Sequence, residues 1–67
     1  MSIVKVIEVI ASSDKSFDEA ARNAVKEASI SLKNIESIYV KEMKAHVDGN
    51  EISSYGVNAL ISFKVEE

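Results

Sequence analysis

A chain of 67 residues allows a single domain, spanning 1–67, and at that size folding removes only about 60% of the unfolded surface from water. It has no cysteine and one histidine, His46, so disulfides and thiolate metal sites are excluded as staples, while 46% of its residues are hydrophobic; association with copies of itself is the stabiliser that remains. A formal charge of −3 excludes a nucleic-acid partner that must be met by a basic stripe, and no apolar run reaches the roughly 18 residues of a membrane span.

The first element predicted is a strand. Ile3-Val4-Lys5-Val6-Ile7-Glu8-Val9-Ile10 is dominated by β-branched residues, which fit a pleated surface better than a helix. Alternation puts Val4, Val6 and Ile10 on one face and Ile3, Ile7 and Val9 on the other, so both faces need cover. The chain's own helix supplies one cover and a neighbouring subunit the other. The run Ser2 to Glu8 carries charge within its apolar stretch, unlike a signal peptide, and the expectation is a soluble cytoplasmic protein.

A polar connection, Ala11 to Lys15, leads to Ser16-Phe17-Asp18-Glu19, which has the form of a capping box. The helix it opens carries Phe17, Ala20, Ala21, Ala24, Val25, Ala28 and Leu32 on one stripe, with small alanines that allow close approach to a sheet. Asp18 and Glu19 fall in the first turn and Lys33 is expected in the last, each matching the helix dipole. Asp18 and Arg22 stand at the spacing of a weak surface pair. Asn34 is the expected terminator.

Two alternating runs, Ile35 to Val47 and Asn50 to Val65, flank Asp48-Gly49, a hairpin signal of the type I′ kind. With that dipeptide as the loop, Val40 is expected opposite Val57 and Ile38 opposite Ala59. One face then gathers Ile38, Val40, Tyr55, Val57, Ala59, Ile61 and Phe63 against the helix. The other carries Ser37, Tyr39, Lys41, Met43, Gly56, Asn58, Leu60, Ser62 and Lys64, and nothing left in the chain can cover it. The fold class is α+β: β-α-β-β, a three-stranded antiparallel sheet packed on one helix.

In that order of elements the residues resemble the dodecins over essentially the whole chain. The matching stretches are Lys5 to Ser13 (KVIEVIASS), Ser16-Phe17-Asp18-Glu19-Ala20, Asn34-Ile35, Val40-Lys41-Glu42, Tyr55 and Ser62-Phe63-Lys64-Val65. The resemblance implies a hollow homo-dodecamer with sheets lining the inside, a non-enzymatic role, and FMN or riboflavin held between subunits by stacking aromatic rings. It also locates two departures. The stacking ring of the family falls at Ser37, and its amide or guanidinium contact falls at Gly56, which has no side chain. Losing a ring removes on the order of 1–3 kcal/mol, or roughly tenfold to more than a hundredfold in affinity. A weakened hold on flavin is therefore expected, with Tyr39, two residues on along the same face, as the substitute ring.

The candidate ligand-contacting positions are thus Ser37, Tyr39, Met43, Gly56 and Asn58, with packing between subunits, where aromatics and methionine are enriched, the favoured reading of Tyr39 and Met43. No catalytic residue is expected: Ser12, Ser13 and Ser16 lack a base triad, and capping accounts for Ser16. No metal site is expected within one chain, because His46 is alone and Asp48, Asn50 and Glu51 do not follow the spacing of a calcium loop. Glu8 and Glu42 are a carboxylate pair with no sequence reason to meet. The alternative to a flavin store is a structural or ion-binding shell, for example for calcium, in which several copies together supply the ligands.

Overall fold

The computed structural model describes residues 3–65. Strand β1 spans Ile3–Ser13, helix α1 Phe17–Ser31, strand β2 Ile35–Asp48 and strand β3 Glu51–Val65. The strands form one antiparallel sheet in the order β1-β3-β2, so the last strand of the chain occupies the centre. The expected fold class is the observed one.

The turn into the helix is built by two serines. Ser13, nearly buried, accepts hydrogen bonds at its Oγ from the amides of Lys15 at 2.9 Å and Ser16 at 3.4 Å. Ser16 is the N-cap, and its Oγ accepts from the Glu19 amide at 2.9 Å, satisfying one of the orphan donors of the first turn. The return half of the expected capping box is replaced, because the Ser16 amide is turned toward Ser13. At the other end the helix stops at Ser31 with Leu32 as C-cap, earlier than the sequence suggested. Lys33 therefore lies outside the last turn. Asn34 adopts the left-handed conformation, φ 62°, and its carbonyl accepts from the Lys64 amide at 3.0 Å, tying the end of the connection to β3.

Ala20 and Ala24 are buried where the helix lies on the sheet, and beneath them are Val57, Ala59 and Ile61 of the central strand, at most 2% exposed. Burying a residue such as Ile61 stabilises the fold by about 1.5–3 kcal/mol. Phe17 packs edge-on against Tyr55, ring centroids 5.0 Å apart at 79°, closing the core at the helix start.

The hairpin departs from its expected register. Its closing pair is Asp48 with Glu51, so Gly49 and Asn50 are the loop, displaced by one residue from Asp48-Gly49. Gly49 has φ 68° and no positive φ occurs at Asn50, the φ signs of a type II′ turn rather than type I′. Val40 consequently faces Ala59 and Ile38 faces Ile61. Three irregularities follow along the ladder, between Ile35 and Ser37, Val40 and Glu42, and His46 and Val47.

The irregularity at Lys41 decides the chemistry of the open face. Strict alternation from Val40 would turn Glu42 and Lys44 toward the helix. The extra residue resets the phase, so Glu42 lies opposite Asn58, Met43 opposite Val57, Lys44 opposite Gly56 and Ala45 opposite Tyr55. Val40, Met43 and Ala45 keep to the helix side, and the two charges move to the open side. The expectation that Met43 shares a face with Tyr39 is corrected here.

Candidate functional site

The face turned away from the helix is made of rows that cross all three strands. From one end they read Val6–Ser62–Ser37, Glu8–Leu60–Tyr39, Ile10–Asn58–Glu42 and Ser12–Gly56–Lys44, with His46 facing Ser54 beyond them. Each row runs from β1 through β3 to β2, and successive rows on one face are about 7 Å apart. Val4, Val6, Ile10 and Tyr39 are all exposed, Ile10 at 82% and Tyr39 at 65%. A face with this much exposed apolar surface, uncovered by the described residues, is unusual for an isolated monomer.

A groove of about 480 Å³ runs along this face, a volume suited to a small organic ligand. Ile10, Ser12, Glu42, Lys44, Gly56 and Asn58 line it from the open side, and His46 closes one end. Two features of the central strand form its floor. Gly56 presents no side chain, although a Cβ placed there would come no nearer than 3.4 Å to the Lys44 carbonyl; the glycine thus leaves room without being demanded by its own backbone. Asn58 has its carboxamide Oδ1 shielded from solvent with no hydrogen-bond partner among the described residues.

The five positions expected from sequence separate accordingly. Gly56 and Asn58 share the groove floor; Tyr39 lies one row along, beside Leu60, and Ser37 one row further. These four share a face. Met43 does not: its side chain is in register with Val57, and the residue borders the groove as well as a depression on the helix side with Phe17, Ala21 and Val40. Glu42, Lys44 and His46 are the groove residues that alternation hid. The signal was present, since a strand that places Glu42 and Lys44 against an alanine stripe asks for a phase change between Val40 and Glu42.

Electrostatically the face is mixed. Glu8 meets Lys41 at 3.4 Å, reaching across the central strand, and Glu36 meets Lys64 at 3.3 Å. Both pairs are partly exposed, so each adds little stability. Glu8 and Glu42 fall in adjacent rows but on opposite outer strands. Among the described residues no three histidine, cysteine or acidic side chains come together as a metal site. The Arg22 guanidinium is raised above its usual range by its hydrogen bond to Asp18 and then by that residue's charge. That pair, 2.9 Å long, sits on the outer surface of the helix, away from the groove.

Comparison with known proteins agrees with this geometry. The Dodecin family model matches residues 3–66. The calcium dodecin of Mycobacterium tuberculosis is 35% identical over 65 residues, covering 97% of this chain and 92% of that protein. The crystal structure of that calcium-chelating antigen superimposes with a TM-score of 0.82 at 34% identity, over 96% of this chain and 91% of the other. The dodecin of Streptomyces coelicolor gives a TM-score of 0.93 at 27% identity, over 98% and 94% of the two chains. A Thermus thermophilus dodecin variant gives 0.95 at 22%, over the full length of both, a likeness of fold alone. With the order of elements, the central third strand and a match along nearly the whole sequence in agreement, the chain is a member of the dodecin family.

Proposed function

We propose that this protein is a non-enzymatic binding module: a homo-oligomeric shell, of dodecameric size by family resemblance, whose open sheet faces turn inward and hold a small flat ligand where subunits meet. The observation that carries the reading is the uncovered apolar sheet face with a groove of about 480 Å³ cut into it. Exposed Val4, Val6, Ile10 and Tyr39 need a cover that the described residues of one chain do not supply, and sister copies are the cover that a 67-residue chain without disulfides calls for.

The ligand class is a planar ring system such as FMN or riboflavin. Tyr39 supplies the stacking surface, Leu60 an apolar wall, and the space over Gly56 admits a ring edge. Ser37 and Gly56 bring no ring and no hydrogen-bonding side chain, so the affinity for flavin is modest. A role without catalysis fits the use of the serines, since the hydroxyls of Ser13 and Ser16 are engaged by backbone amides. Light scattering coupled to gel filtration tests the shell, and titration of riboflavin with fluorescence readout tests the cargo. Quenching by the wild type, weakened roughly tenfold or more in Tyr39→Ala, is the expected result. A stable monomer at micromolar concentration, or unaltered fluorescence throughout, overturns the respective half.

A second reading has its own support. The relative at 35% identity is named a calcium dodecin, and the open face carries Glu8 and Glu42, whose oxygens suit a hard cation once several copies contribute. On that reading the oligomer is an ion-holding shell. Elemental analysis of the purified oligomer distinguishes the two, a stoichiometric divalent ion without flavin colour supporting this one.

A further inference from the structure

Asn58 poses a problem that the described residues do not solve. Its Oδ1 is shielded from solvent and has no donor among them, a condition that native folds rarely tolerate. The neighbours in its row explain why: Ile10 on one side has no polar atom, and Glu42 on the other is acceptor-only when ionised. Leucine in this place would pack beside Ile10 and Leu60 without the cost of a buried acceptor. The carboxamide also stands in the groove floor, one row from the opening over Gly56 and one row from Tyr39.

We propose that Asn58 is the specificity-determining residue of the groove, whose unsatisfied carboxamide oxygen accepts a hydrogen bond from a ring N–H of a planar heterocycle bearing an imide or lactam edge. This rests on the flat-ligand reading above and names the chemistry that the site selects. The ring edge enters over Gly56, where no side chain obstructs it. Oδ1 is shielded in the single chain, so its use requires the groove to adjust, and Ile10, its mostly exposed neighbour in the row, is free to move. Terminal rotation of an asparagine carboxamide is itself a soft motion, so the amide can align with an incoming N–H. The ring face is left to Tyr39 and Leu60, dividing recognition between stacking and edge reading.

The test uses the purified oligomer, riboflavin, and riboflavin methylated at its imide nitrogen, with fluorescence quenching as readout, on the wild type and Asn58→Leu. The wild type should prefer riboflavin over the methylated compound by roughly tenfold, and Asn58→Leu should bind both alike at the weaker level. The empty Asn58→Leu oligomer should melt no lower than the wild type, because the substitution removes an unpaired acceptor. Equal wild-type affinity for the two compounds overturns this proposal and leaves the flat-ligand reading standing. Absence of quenching by either compound sinks the flavin reading and this ligand class together. A melting point several degrees lower in the empty variant shows that the carboxamide has a structural partner in the assembly, and the proposal falls on that result alone.

Discussion

On the helix-covered face of the sheet, Val57, Ala59 and Ile61 are closed off from water within one chain, whereas on the other face Ile10 and Tyr39 stay mostly exposed. The two faces share the same three strands and differ in what the sequence supplies to cover them. Small alanines at Ala20 and Ala24 bring the helix close to the first; none of the described residues covers the second. A closed core and an open surface are thus two sides of one layer, and the open side is the one that carries the groove.

That contrast is open to attack from either side, and the largest effect is expected in the covered face. Ile61→Ala should cost about 2–5 kcal/mol in chemical denaturation, since the cavity forms under a close-packed helix, and a cost under 1 kcal/mol would mean that the helix is not tightly seated. Next, Val6→Glu on the open face should break the assembly without abolishing the monomer's helix. Light scattering should then show smaller species, with a melting temperature that depends on concentration; an intact large oligomer would show that Val6 faces solvent in the assembly. Third, Ser16→Ala removes the N-cap acceptor and should lower stability by about 1 kcal/mol. Gly49→Ala should cost a similar amount, about 1 kcal/mol, because φ at this position is 68°. Last, Arg22→Ala should leave the melting temperature unchanged within error, its partner Asp18 being as exposed as itself.

Much of this contrast is legible in the sequence. The alternation in β1 exposes both of its faces as apolar, the helical stripe names the alanines that cover one of them, and the odd-numbered run from Tyr55 to Phe63 names the buried side of β3. What alternation misses is the phase of β2. A bulge changes which residues face which way without changing composition, so Met43 is read onto the open face and Glu42 off it. The loop is misplaced by one residue for a related reason: Asp-Gly and Gly-Asn both make tight turns, and the choice between them is settled by the ladder that each one closes. Ser37, Tyr39, Gly56 and Asn58 reach the right face because Ser37 and Tyr39 precede the bulge and the other two lie on the regular central strand. The unpaired oxygen of Asn58 is beyond any sequence pattern, since it depends on which side chains happen to flank it.

The position of β3 has a consequence for how the molecule is made. Because β3 follows both β1 and β2 in the chain yet lies between them, neither of those strands has its ladder partner until the residues after Asp48 have left the ribosome. The sheet therefore closes only once β3 is available, and its closure sets one long segment between two that have been left unpaired. Loss of residues from β3 should for this reason be far more damaging than their distance from the helix suggests.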